Sequence, residues 1–94
     1  MIKTIYVDVF FYENARKSPP HGNVYRPHFV VDDSDGCHLG IQFIDLDLAP
    51  FGEHILAEVE LVYPGVDYSP LKENARFLII EAGSQTVGEG VVVG

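Results

Sequence analysis

A few side chains in this sequence are of types that carry chemistry, and their spacing decides what they could do. Asp45 and Asp47, in "FIDLDLA" at 43–49, alternate along an extended segment and so share one face. Two carboxylates placed that way are the raw material of general acid–base catalysis. No nucleophile or oxyanion donor stands near them, and a strand end fading into the turn at Pro50 is the simpler account. "DDSDG" at 32–36 has the chelating front of a calcium loop, but Phe43 or Ile44 stands where the closing glutamate belongs, so a solvated turn is expected. Cys37 and His38 are neighbours in an extended segment and point to opposite faces, which makes them poor partners for one zinc ion. His21, His28 and His54 are scattered along the chain. No catalytic residue, metal ligand or cofactor is therefore assigned, and triads, which are recognised by geometry, are not assignable from sequence.

The elements that position these groups belong to one domain spanning residues 1–94, with 47% hydrophobic and 21% charged residues and no low-complexity tract. Fourteen acidic residues against six basic ones give a net charge of −8. That balance repels a phosphate backbone at neutral pH. The single cysteine cannot form an internal disulfide, and no Asn-x-Ser/Thr site is present. The apolar run near the start is too short for a membrane span, carries Asp8 and has no basic segment before it. A cytoplasmic protein without a membrane segment is expected.

The period along the chain is two. Ile5, Val7, Val9 and Phe11 alternate with Thr4, Tyr6, Asp8 and Tyr12, the pattern of a strand packed on one side. The prolines, glycine and asparagines of 13–24 read as a loop. "YRPHFVVDD" predicts a second strand with Pro27 at an edge or a strand start. In "CHLGIQFIDLDLA" Leu39, Ile41, Phe43 and Asp45 alternate with Gln42, Ile44 and Leu46 as a third strand whose facing the pattern leaves open, and in "EHILAEVELVY" Ile55, Ala57, Val59 and Leu61 share a face as a fourth. "RFLIIEA" and "TVGEGVVV" supply two more, and only 68–75 has room for a helical turn. In the last strand the odd residues Val87, Val91 and Val93 are expected to face inward unless a bulge at Gly88 or Gly90 changes the parity. Six short strands between turn signals predict an all-β small barrel or sandwich. Closure would also make an apolar last strand tolerable.

"VYRPHF" at 24–29, "VELVYP" at 59–64 and the run ending Thr86-Val87-Gly88-Glu89-Gly90-Val91-Val92, in that order, resemble the C-terminal domain of translation elongation factor Tu and its relatives. The likeness spans almost the whole chain. Pro50-Phe51-Gly52-Glu53 is similar to the family's Pro-Gly-Asp turn with one residue inserted. The resemblance implies a single six-stranded antiparallel β-barrel that grips the T-stem of aminoacyl-tRNA and docks on neighbouring domains, with no chemistry of its own. The phosphate cradle G-x-x-x-x-G-K-[ST] of the family's GTPase domain is missing, so no nucleotide is expected.

Residue by residue, the resemblance matches Arg26 to the arginine of Tyr-Arg-Pro, where it would meet an RNA phosphate or pair with a barrel carboxylate. His28 stands where the family has glutamine, and Arg16 or Lys17 matches a basic loop residue. Glu81 and Gly83 match the family's Glu-Gly, with Ser84 taken as an insertion, while both arginines of that segment are gone. Each lost basic contact removes counterion release from RNA binding. The leading expectation is a protein-docking module, monomeric or homodimeric, with Tyr25 and Phe51 as first contact candidates and the partner unidentified. The alternative is weak tRNA binding through the loop 13–26, whose Arg16, Lys17 and Arg26 are three of the chain's six cations. A small enzyme built on acidic groups is a third reading that no positive feature supports.

Overall fold

The structure, a computed structural model, describes residues 3–13, 25–31, 38–44, 51–63, 65–81 and 85–94. Within them lie seven strands: β1 Thr4–Phe11, β2 His28–Val31, β3 Leu39–Gly40, β4 Gln42–Ile44, β5 His54–Glu60, β6 Arg76–Glu81 and β7 Gln85–Val92. Each pairs antiparallel with its neighbours in the spatial order β3-β2-β6-β7-β1-β5-β4. Among the described residues no helix forms, and so none is long and apolar enough to cross a membrane.

The all-β barrel expected from sequence is what the chain builds. The expected third strand accounts for the change from six to seven. Residues 39–44 carry both outer strands of the sheet order, β3 and β4, with only Ile41 between them. On one side β3 pairs with β2 and on the other β4 pairs with β5. The N–H groups of Ile41 and Phe43 donate to the carbonyls of Pro27 (3.2 Å) and Tyr25 (3.0 Å), extending the first pairing along the same segment. One bent segment thus joins the two edges and rolls the sheet up, which removes the unpaired rows an open sheet would present. Pro27 lies just before β2, where its missing N–H deprives no ladder of a bond.

The inward residues are those of the period-two reading. Ile5, Val7, Val9 and Phe11 of β1, Leu39, Ile41 and Phe43 of the bent segment, and Ala57 and Val59 of β5 are all buried. Four phenylalanines organise the centre. Phe29 stacks on Phe77 with centroids 3.9 Å apart, and Phe43 meets Phe29 and Phe11 at 6.1 and 6.2 Å. Each such pair adds about 0.5–1.5 kcal/mol beyond its buried area. Leu71 joins this core from the stretch 65–75, which forms tight reversals in place of a helical turn. The N–H groups of Leu71 and Ala75 donate three residues back to Tyr68 and Lys72, and Asn74 takes a φ of 70°.

The last strand departs from expectation at two of three valines. Val87 is fully buried, but Val93 is 47% exposed and Val91 only half-buried, while Val92 faces the core. The cause is a bulge. Ile79 pairs with Gly88 and Ile80 with Thr86, so Val87 is an extra residue on β7. One inserted residue flips the parity of everything after it. Gly88, Gly90 and Val92 therefore stand opposite the inward residues Phe11, Val9 and Val7. A β-carbon at Gly88 would lie 2.5 Å from the carbonyl oxygen of Phe10, and one at Gly90 would lie 2.6 Å from that of Asp8. Both glycines sit where the backbone of β1 comes close.

Candidate functional site

Strand register sets out the outer face as rows. His54, Phe10, Glu89, Leu78 and Val30 are successive cross-strand partners running from β5 through β1, β7 and β6 to β2. The adjoining row is Leu56, Asp8, Val91 and Arg76. Neighbours along each strand alternate, so both rows stand outside the barrel while their flanking residues fill it. Over these rows lies an open groove of about 530 Å³, lined among others by Asp8, His54, Arg76, Leu78, Glu89 and Val91.

Diagonal contacts fix the polar groups of this face. His54 Nδ1 lies 2.9 Å from Asp8 Oδ1, and the imidazole also packs against Phe10 with centroids 5.0 Å apart. Tyr12 donates its hydroxyl to Glu89 Oε1 at 2.8 Å. Desolvation, then the hydrogen bond to Glu89 and its charge, pushes the Tyr12 hydroxyl up to about 12. Arg76 is exposed and makes no side-chain hydrogen bond or ion pair among the described residues. The groove thus holds a His–Asp pair and a guanidinium, but none of the residues lining it is Ser, Thr, Cys or Lys. A pair of this kind can move a proton, yet the groove brings no hydroxyl, thiol or amine to it for covalent catalysis.

The apolar share of the same face is large. Leu56 is 67% exposed, Tyr6 49%, Val93 47% and Leu78 37%. Tyr6 pairs with Glu58 of β5, and its backbone exchanges hydrogen bonds with Val93 and Gly94. These side chains form an apolar field interrupted by Asp8, Glu58 and Glu89 across four strands.

The residues singled out from sequence are dispersed around the barrel. Arg16, Lys17 and Gly83 lie outside the described residues, as do His21, Cys37, Asp45, Asp47 and the 32–36 turn. Tyr25 is half-buried, stacked on Phe43 with centroids 5.4 Å apart, and donates its hydroxyl to Glu81 Oε2 at 2.6 Å. Two separately chosen residues are therefore joined, although 56 positions separate them. Phe51 packs on the core at the turn where Gly52 takes a φ of 76°. Arg26 is exposed and has no ion pair among the described residues, so the barrel carboxylate envisaged for it is not seen there. His28 is half-buried at the start of β2, its ring 5.7 Å from that of His38.

Sequence reasoning missed the outer rows and the His28–His38 pair, because both are products of register. One signal was available. A hairpin centred on "DDSDG" puts residue 28 opposite residue 40, and His38 then shares the face of His28. No family model and no curated protein matches the chain.

Proposed function

We infer that this chain is a non-catalytic binding module that docks another protein, as its resemblance to the third barrel of elongation factor Tu implies. The observation that carries this reading is the outer face of β5, β1, β7 and β6, where Tyr6, Leu56, Leu78 and Val93 stand exposed among Asp8, Glu58 and Glu89. Large apolar side chains left exposed among charged ones are a feature of protein interfaces. With a net charge of −8, the partner that complements this face is a protein with an apolar docking centre and a basic rim. The module works in the cytoplasm, a placement that rests on its single cysteine. The partners this reading calls for are a translation factor, a tRNA-handling protein or a small toxin, in each case one with a basic surface.

A second reading, contact with tRNA, draws on Arg26, which is exposed and without an ion pair among the described residues. It needs Arg16 and Lys17 as well, because one cation in so acidic a chain does not hold a phosphate backbone.

The test is paired capture from a cell lysate with the unmodified protein and with a Leu56→Asp/Leu78→Asp variant verified to be folded. A basic protein retained by the first and lost by the second, with retention weakening as salt rises, supports the docking reading. Equal capture by both proteins, or a salt-sensitive complex of the unmodified protein with purified tRNA, overturns it.

A further inference from the structure

His28 and His38 form a pair that the docking reading does not use. They reach each other through the β2–β3 pairing, in which His28 stands opposite Gly40 and Phe29 opposite Leu39. His38, two residues before Gly40, lies on the same face as His28 and diagonal to it. Gly40 has no side chain to set against His28, and the ring of Tyr63 lies over the spot that a residue-40 side chain would take. The two imidazoles meet with centroids 5.7 Å apart and planes at 65°. Among the described residues neither ring has a hydrogen-bond partner.

That separation has a chemical meaning. With a metal–nitrogen bond of about 2.0–2.1 Å and roughly 1.1 Å more from nitrogen to ring centre, two imidazoles on one ion have centroids about 5.2 Å apart at a tetrahedral angle and about 6.4 Å apart in line. The observed 5.7 Å falls between these limits. Chelation requires that side-chain rotation turn one nitrogen of each ring toward a common point, since the rings now meet edge to face. We propose that His28 and His38 chelate a divalent transition-metal ion, with water completing its coordination.

Neutral imidazole selects ions of borderline softness such as Zn²⁺, Ni²⁺ and Cu²⁺ over Mg²⁺ and Ca²⁺, which demand oxygen ligands. The net charge of −8 draws cations toward the barrel. The consequence is mechanical. β3 is only two residues long, and its pairing with β2 covers two positions at the place where the barrel closes. An ion held by one ligand from each side clamps that seam, and any ion bound only by the folded form stabilises it by mass action.

The test is calorimetric titration of the tag-free full chain with ZnCl₂, beside the thermal midpoint with and without the ion. One ion per chain, a higher midpoint with Zn²⁺ and no response to Mg²⁺ are expected. His28→Gln and His38→Gln, each verified to be folded, should each weaken binding by roughly tenfold or more, since a single imidazole is then left. His54→Ala and Cys37→Ser should leave the titration unchanged. No Zn²⁺ binding, unchanged binding in both glutamine variants, or loss of binding in Cys37→Ser overturns the assignment.

Discussion

Tyr25 donates a 2.6 Å hydrogen bond to Glu81 and stacks on Phe43, so the same side chain ties the segment before β2 both to β6 and to the core. Hydrogen bonds to a charged acceptor contribute about 1.5–3 kcal/mol, with the low end expected where water has access. Tyr25→Phe should lose about 1.5 kcal/mol in denaturant unfolding, and Tyr25→Ala about 3 kcal/mol as the ring packing goes too. A double-mutant cycle with Glu81→Ala, which removes the acceptor, should show coupling close to the Phe value. Additive effects would mean that the bond contributes nothing.

The bulge at Val87 reassigns the sensitive valine of the last strand. Val92 is 2% exposed and stands opposite Val7, whereas Val91 stands on the outer face between Asp8 and Arg76. Val92→Asp buries a carboxylate without a partner and should destabilise by about 4 kcal/mol or more. Val91→Asp meets one charge of each sign and should change stability by about 1 kcal/mol or less. Unfolding curves that rank the two the other way would place the bulge elsewhere.

Much of this barrel is legible in sequence, and the reason is local. β1 and β5 write their inward faces as every second residue, so Val7, Val9, Ala57 and Val59 could be read without knowing their partners. What the period does not carry is pairing. The segment 39–44 keeps its alternation while it changes neighbours at Ile41, so one expected strand becomes two. Gly88 and Gly90 signal an irregularity in β7, but its position at Val87 is set by Ile79 and Ile80 on another strand. The pairs Asp8–His54 and Tyr25–Glu81 are invisible for the same reason: pairing brings together residues that lie far apart along the chain.

Alkaline pH should expose the Tyr12–Glu89 contact. Tyr12 ionises at about 12 in the folded chain, against 10.0 for an ordinary tyrosine, because desolvation, the bond to Glu89 and its negative charge all oppose the phenolate. A group whose folded value is raised favours folding fully below its unfolded value and loses that contribution above it. Stability should therefore fall between pH about 10 and about 12, and Tyr12→Phe should flatten part of that slope. Glu89→Gln should lower the Tyr12 titration only in part, because desolvation, the largest cause of the shift, remains. An ultraviolet difference titration between the unmodified protein and Tyr12→Phe isolates this hydroxyl from the other four tyrosines.

Two sets of side chains on opposite accounts of function can be separated by one comparison. Leu56 and Leu78 stand on the outer rows, exposed and away from the core, so Leu56→Asp/Leu78→Asp should leave folding intact within about 1 kcal/mol. Tyr25 and Phe51 do not offer that separation, since both pack on the core and their removal would lower stability along with any binding. Arg16, Lys17 and Arg26 form the other set, three of six cations in a chain of net charge −8. If the barrel docks a basic protein, the leucine pair abolishes the complex, while Arg16→Ala/Lys17→Ala/Arg26→Ala leaves it intact or tightens it by making the module still more acidic. If it holds tRNA, the triple change abolishes binding and removes up to about three phosphate contacts, each worth a salt slope of roughly 0.7–0.9, while the leucine pair has little effect. The first pattern is expected, because the exposed leucines share the outer face with Tyr6 and Val93, and the charged residues set among them are mostly carboxylates.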